Sequence, residues 1–139
     1  MKKARRNLGL SALLIFAGCI GLLLLPSWSM AQKGYVNISV DQFAEMLKHK
    51  DFILIDVHIP YKGEIPGTDL FIPYNAIDQN KEKLPRQKDA KIVVYCETGY
   101  MSGIAAEKLV DMGYTNVLVF RGGMREWERS GRPLVLRSR

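Results

Sequence analysis

The chain has 139 residues, of which 20 are Lys or Arg and 14 are Asp or Glu, giving a formal net charge of +6. Four of the basic residues fall within the first six positions, and the remaining charges are mixed in sign along the chain. This distribution argues against a nucleic-acid-binding surface, and the length suits one compact domain.

The first 31 residues have the organisation of an export signal. A basic opening precedes the uncharged, mostly apolar run 8–25, and Ser29-Met30-Ala31 has the small-x-small form of a cleavage site. We interpret residues 1–31 as a signal peptide and residues 32–139 as the domain, which predicts an exported, periplasmic protein. Because the apolar run approaches the ~20 residues that span a bilayer, an uncleaved N-terminal membrane anchor is the alternative.

Cleavage after residue 31 would lower the net charge to about +2 and would remove Cys19, leaving Cys96 as the single thiol. One thiol cannot form an internal disulfide, so the core alone must stabilise the exported domain. Phe16-Ala17-Gly18-Cys19 has the form of a lipoprotein cleavage box. Apolar residues follow it instead of a polar tether, which makes lipidation a minor option.

After the leader, short apolar runs alternate with helical patterns. The first run, 36–38, is followed by the capping box Ser39-Val40-Asp41-Gln42 and a helix that ends near residues 49–50. Further strands are predicted at 52–55, 70–72, 91–95 and 116–120, and further helices at 76–84, 102–112 and 124–130. We expect Ile104, Leu109 and Met112 to face the core. The alternation predicts an α/β fold with a parallel sheet and helices on both faces.

Polar or reactive side chains stand where three of these strands end. Asp56 and His58 follow the second strand, Cys96 follows the fourth and Arg121 follows the fifth. Ligands bind at the carboxyl ends of parallel strands, so we expect these residues to gather at one edge. Cys96 also begins a short loop before a helix, where backbone N–H groups and the helix dipole favour the nucleophilic thiolate. The alternative is a small buried core residue.

Four stretches occur in a fixed order along the domain, namely residues 54–58 (LIDVH), 63–67 (GEIPG) with Ile72-Pro73, 94–102 (VYCETGYMS), and 122–127 (GGMREW) with Gly131 and Pro133. The resemblance that they carry is to a single-domain rhodanese, over residues 36–135. It implies a single rhodanese-like domain with a parallel five-stranded sheet flanked by helices on both faces. It also implies sulfur transfer through a Cys96 persulfide, from thiosulfate or a persulfide donor to cyanide or a thiol, without metal or organic cofactor.

The substrate-binding loop then comprises Glu97, Thr98, Gly99, Tyr100, Met101 and Ser102. Its N–H groups can form an anion-binding nest, in which Gly99 suits a positive φ. Ser102 is expected to cap the following helix and to donate its hydroxyl, and Tyr100 and Met101 to line the mouth of the pocket.

Three residues around the loop have more than one interpretation. Asp56 either orients the edge by accepting loop N–H bonds or is an ordinary strand-end cap. His58 either supplies charge to an anionic donor or is a structural loop histidine. Arg121 either contacts substrate or pairs with Glu126 or another acid.

Two departures from the family pattern affect the expected substrate. Met101 stands where many members carry an arginine, and His58 stands where Asp-x-Arg is common. Glu97 also adds a negative charge, which opposes an anionic donor if the carboxylate points inward and is screened by solvent if it points outward. The loop is therefore less cationic than in many members, and thiosulfate is expected to be a poor donor.

Other functions are compatible with parts of the pattern. A catalytically weak binding or sulfur-sensing module of the same fold is the main alternative. A cysteine phosphatase would carry an arginine at position 102, where this chain has Ser102. A thioredoxin-like role would need a second cysteine in the loop, and residues 97–102 contain none.

Overall fold

The computed structural model describes residues 34–137. The predicted signal peptide or anchor and Cys19 lie outside those residues. Between residues 34 and 137, no helix is both long and apolar enough to cross a membrane.

Five strands form a single sheet. They are β1 (Tyr35–Ile38), β2 (Ile53–Asp56), β3 (Leu70–Phe71), β4 (Ile92–Tyr95) and β5 (Val117–Phe120). The strand order is β1-β5-β4-β2-β3, and every neighbouring pair is parallel. The helices are α1 (Val40–Lys48), α2 (Tyr100–Asp111) and α3 (Gly123–Arg129), with a 3₁₀ helix at Asp78–Lys83. The predicted α/β class with a five-stranded parallel sheet is confirmed.

Both faces of the sheet are covered by helices. Along β4, Ile92 and Val94 pack in the cluster that contains α2, whereas Val93 and Tyr95 pack in the cluster that contains α1 and α3. This division follows from the alternation of side chains along a strand. Because β4 is central, all four of its residues are buried, as its continuous apolar run predicts.

The structure differs from the sequence prediction in two helices. α2 begins at Tyr100, two residues earlier than predicted, because Gly99 has a φ of 95° and turns the chain directly into the helix. The segment predicted as a helix at 76–84 forms a 3₁₀ helix over Asp78–Lys83. Ile104, expected in the core, is 37% exposed, because Ala105 and Leu109 occupy the sheet-facing side of α2.

The C-terminal segment is fastened to the loop that follows β2. Glu64 and Val135 exchange two backbone hydrogen bonds of 2.8 Å each. Arg137 Nε lies 3.1 Å from Glu64 Oε2, and Arg137 Nη2 donates to the Thr68 carbonyl at 2.7 Å. Glu64 is only 1% exposed, so its carboxylate is held by a charged partner where water has little access. The segment thereby fixes the loop that carries Lys62.

Phe43→Ala should destabilise the domain strongly. Phe43 is fully buried, stacks on Phe120 at 4.6 Å and meets Trp127 edge-on at 5.7 Å, so it joins α1, β5 and α3. The cavity should cost about 3–5 kcal/mol of unfolding free energy, measured by urea denaturation. Val36→Ala is the control, because Val36 is 57% exposed and should change stability by less than ~0.5 kcal/mol.

Candidate active site

The parallel register brings the three strand ends to one edge. Asp56 pairs with Tyr95, and Tyr95 pairs with Phe120, so β2, β4 and β5 end level with one another. The Val57 N–H then donates to the Tyr95 carbonyl at 3.0 Å, which extends the pairing by one residue. Cys96 therefore leaves the sheet between the segments that carry His58 and Arg121.

Cys96 is recessed beneath its loop. The residue is 1% exposed, and the Gly99 N–H donates a hydrogen bond to Sγ at 3.0 Å. The thiol lies 3.6 Å from Ser102 Oγ, to which it donates. A hydroxyl can rotate, so the same Ser102 oxygen can donate to a sulfur that carries negative charge. Both contacts suit an anionic sulfur.

The first turn of α3 holds the other side of the loop. The Met124 and Arg125 N–H groups donate to the carbonyls of Cys96 and Glu97 at 2.9 Å and 3.1 Å. Gly123 makes this approach possible, because a Cβ there would lie 2.6 Å from the Glu97 carbonyl oxygen, and its φ is 59°. With these carbonyls occupied by α3, the loop turns an N–H group toward the sulfur.

The remaining loop residues divide between the helix and the surface. Ser102 does not cap α2 as expected; Gly99 is the N-cap, and Ser102 lies inside the helix, fully buried, with Oγ donating to the Gly99 carbonyl at 3.2 Å. The earlier start of α2 explains this difference. Tyr100 is 74% exposed and Thr98 is also exposed, whereas Met101 is half-buried against the core.

Glu97 lies within a cluster of basic side chains. Its carboxylate is 2.7 Å from Lys62 Nζ, 3.7 Å from Arg125 Nη2 and 3.7 Å from His58 Nε2. The hydrogen bond from Lys62, followed by the nearby positive charges, lowers the pKa of Glu97 below its usual range. The Glu97 side chain is 27% exposed, so solvent partly screens these ion pairs.

His58 is buried beside this cluster. It is 8% exposed, and its Nδ1 has no hydrogen-bond partner within residues 34–137. Burial lowers the pKa of His58; the charge of Glu97 opposes this effect and that of Lys62 adds to it. His58 is therefore mainly neutral at pH 7 and does not supply the full positive charge that an anionic donor would need.

Asp56 and Arg121 differ in burial. Asp56 is fully buried, and its Oδ1 accepts the His58 N–H at 2.9 Å, which shapes the turn after β2. Arg121 is exposed and lines a hollow of about 210 Å³ with Gly99 and Tyr100. The expected ion pair between Arg121 and Glu126 does not form in the described part of the chain.

Sequence reasoning missed three residues that shape the site. Lys62 comes from the loop after β2, and no local pattern indicates where a loop lysine points. Arg125 follows the Gly122-Gly123 turn. Its position in the first turn of the last helix could have indicated that it lies near the edge of the sheet that carries the Cys96 loop. Gly123 reads from the sequence only as a turn residue, although it permits the contact between α3 and the loop.

These features define a single-domain α/β protein with a recessed cysteine on a strand-to-helix loop at the carboxyl edge of a parallel sheet. The model of the rhodanese-like domain family matches residues 39–130. The chain therefore belongs to the rhodanese-like domain family, as the sequence resemblance predicted.

Several relatives are named as sulfurtransferases. A sulfurtransferase from Allochromatium vinosum is 35% identical over 89 residues, covering 62% of this chain and 80% of the relative. The thiosulfate sulfurtransferase GlpE from Pseudoalteromonas translucida is 31% identical over 97 residues, covering 68% and 90%. The crystal structure of a rhodanese-related protein from Thermoplasma volcanium matches with a TM-score of 0.61 at 29% identity, covering 74% of this chain and 100% of that protein. These relationships support sulfurtransferase activity in general terms.

Gly99→Ala should reduce the reactivity of Cys96 more than it reduces the stability of the fold. Its Cβ would meet the Arg121 carbonyl oxygen and lie 3.2 Å from Arg121 Cγ, so the loop must move and the N–H must leave Sγ. We expect at least a ~10-fold slower reaction of Cys96 with a sulfane-sulfur donor, followed by intact mass.

The matched control is Gly113→Ala. Gly113 has a φ of 91°, and a Cβ at this position would meet no other atom within 4 Å, so both variants should lose about 1–2 kcal/mol from the positive φ alone. Equal loss of reactivity in the two variants would contradict a specific role for the Gly99 N–H.

Stability should fall as the pH decreases from about 7 to 5. The pKa of His58 is lowered in the folded state relative to 6.5, so the unfolded chain binds a proton more readily and folding loses free energy below pH ~6.5. Glu97, whose pKa is below its usual range, loses its contribution only at lower pH. Urea midpoints should decrease less over this window in His58→Gln than in the wild-type protein.

Proposed function

We propose that this protein is a sulfurtransferase in which Cys96 carries a sulfane sulfur as a persulfide. The observation that carries the proposal is the 3.0 Å hydrogen bond from the Gly99 N–H to a recessed Cys96 Sγ. A backbone donor directed at sulfur stabilises negative charge on the attacking thiolate and then on the persulfide. The donor is thiosulfate or a persulfide, and the acceptor is cyanide or a thiol.

The reaction requires two displacements at sulfur. The Cys96 thiolate attacks the outer sulfur of thiosulfate, an S–S bond forms, the original S–S bond breaks, and sulfite leaves with the electron pair. Cyanide or a thiolate then attacks the terminal sulfur of the persulfide, and the Cys96 thiolate leaves. Neither displacement requires an external oxidant or reductant.

The loop favours this chemistry while offering little positive charge to the donor. Met101 occupies the position where many family members carry an arginine, and its side chain packs against the core. Residues 96–102 contain no Lys or Arg. Thiosulfate should therefore be a weak donor.

The proposal includes a periplasmic location, supported by the composition of residues 1–31. Membrane attachment through residues 8–25 is the alternative. Intact mass of protein from the native soluble and membrane fractions distinguishes a chain that begins after Ala31 from one that keeps its N-terminus.

Cys96→Ser should abolish sulfur transfer and leave the fold intact, because Ser is smaller than Cys and can accept the Gly99 N–H. Wild-type protein incubated with thiosulfate and cyanide should produce thiocyanate, and intact mass should show one added sulfur atom before cyanide is added. The variant should show neither result. If no donor adds sulfur to wild-type Cys96, the domain is instead a binding or sensing module.

A further inference from the structure

We propose that Glu97 selects the charge of the sulfur donor, favouring donors with one negative charge over dianionic thiosulfate. This inference rests on the proposed sulfurtransferase reaction and concerns which donor that site accepts. Glu97 is thereby a specificity-determining residue that acts through its charge, without bonding to the reacting sulfur atoms.

Glu97 is close enough to the nucleophile to influence the donor. It directly follows Cys96, so the two Cα atoms are about 3.8 Å apart. The covalent geometry of adjacent residues keeps the Glu97 carboxylate within roughly a Debye length of Sγ, ~10 Å at 0.1 M salt, so its charge acts through space on an anionic donor bound there. The carboxylate is 27% exposed, so solvent weakens this interaction without removing it.

The cluster around Glu97 has a small net positive charge. Lys62 and Arg125 contribute two positive charges, at 2.7 Å and 3.7 Å from the carboxylate. His58 is mainly neutral at pH 7, and Glu97 cancels one of the two cations. This cluster thus retains about one positive charge, where it would hold two without Glu97, and Arg121 adds a separate cation on the Gly99 side of the loop. Glu97 therefore lowers the positive charge available to a donor, which penalises a donor with two negative charges more than a donor with one.

The Glu97 carboxylate also occupies the cations that an anionic donor would otherwise use. Lys62 Nζ donates a hydrogen bond to Glu97 Oε1. A donor that uses Lys62 must compete with this contact, and residues 96–102 contain no Lys or Arg of their own. The substitution Glu97→Gln keeps the size of the side chain and a hydrogen-bond acceptor for Lys62. It removes the negative charge, so the positive charge of Lys62 is no longer neutralised.

Two donors that differ by one charge isolate this effect. Thiosulfate is a dianion and expels sulfite, whereas methanethiosulfonate is a monoanion and expels methanesulfinate. In both reactions the Cys96 thiolate attacks the outer sulfur, the S–S bond of the donor breaks, and the same persulfide forms. Because Coulomb repulsion scales with donor charge, Glu97 should hinder thiosulfate about twice as strongly in free energy.

The test compares kcat/KM for the two donors in wild-type protein and in Glu97→Gln. The ratio of thiosulfate to methanethiosulfonate should rise about fivefold in the variant at low ionic strength, and the rise should shrink at ~1 M salt. Lys62→Met should lower the same ratio, because it removes a positive charge that partly neutralises the Glu97 carboxylate. This second variant keeps the test informative if Glu97→Gln folds poorly.

Glu128→Gln is the control, since Glu128 is exposed on α3 and its substitution changes the net charge by the same amount. It should leave the ratio within about twofold of wild type. An unchanged or lower ratio in Glu97→Gln, with persulfide still formed, would overturn the role of Glu97. Failure of both donors, and of a persulfide donor, to add sulfur to wild-type Cys96 would instead overturn the proposed function.

Discussion

The contact between α3 and the Cys96 loop is the constraint on which the site depends. α3 donates two N–H groups to the carbonyls of Cys96 and Glu97. These bonds fix the two peptide planes that follow Cys96 and Glu97, and the next N–H along the loop, that of Gly99, faces Sγ. The approach is close enough to require Gly123, where any Cβ would overlap the loop backbone. The chemistry of the thiol thus depends on packing between two elements that follow neighbouring strands.

Charge around the sulfur comes from side chains that lie outside the loop. Lys62 belongs to the segment after β2, and Arg125 belongs to α3. Both contact the one carboxylate in the loop, Glu97, which partly neutralises them. The Gly99 N–H is thereby left as the main fixed donor that stabilises an anionic sulfur. In the proposed reaction, the backbone activates the nucleophile, whereas the side-chain cluster adjusts recognition of the donor.

The sequence was most informative where the local pattern of residues agrees with their burial in the folded protein. Buried parallel strands read as continuous apolar runs, so β2, β4 and β5 and their polar C-terminal neighbours were predictable. Ser39 begins α1 through the expected capping box. The start of α2 was missed, because no side-chain cap marks it and Gly99, for which a positive φ was expected, is itself the N-cap. The partners of Glu97 were also missed, since Lys62 is 35 positions away and its place is set by tertiary packing.

The contacts of the C-terminal segment have a practical consequence for handling the protein. Arg137 is committed to Glu64 and Thr68, and its N–H donates to Tyr61 Oη at 3.0 Å. A purification tag or fusion partner joined directly after the last residue would therefore disturb the C-terminal segment, whose contacts fix the loop that carries Lys62. A flexible spacer at that junction keeps the contacts of Arg137 with Glu64 and Thr68 undisturbed.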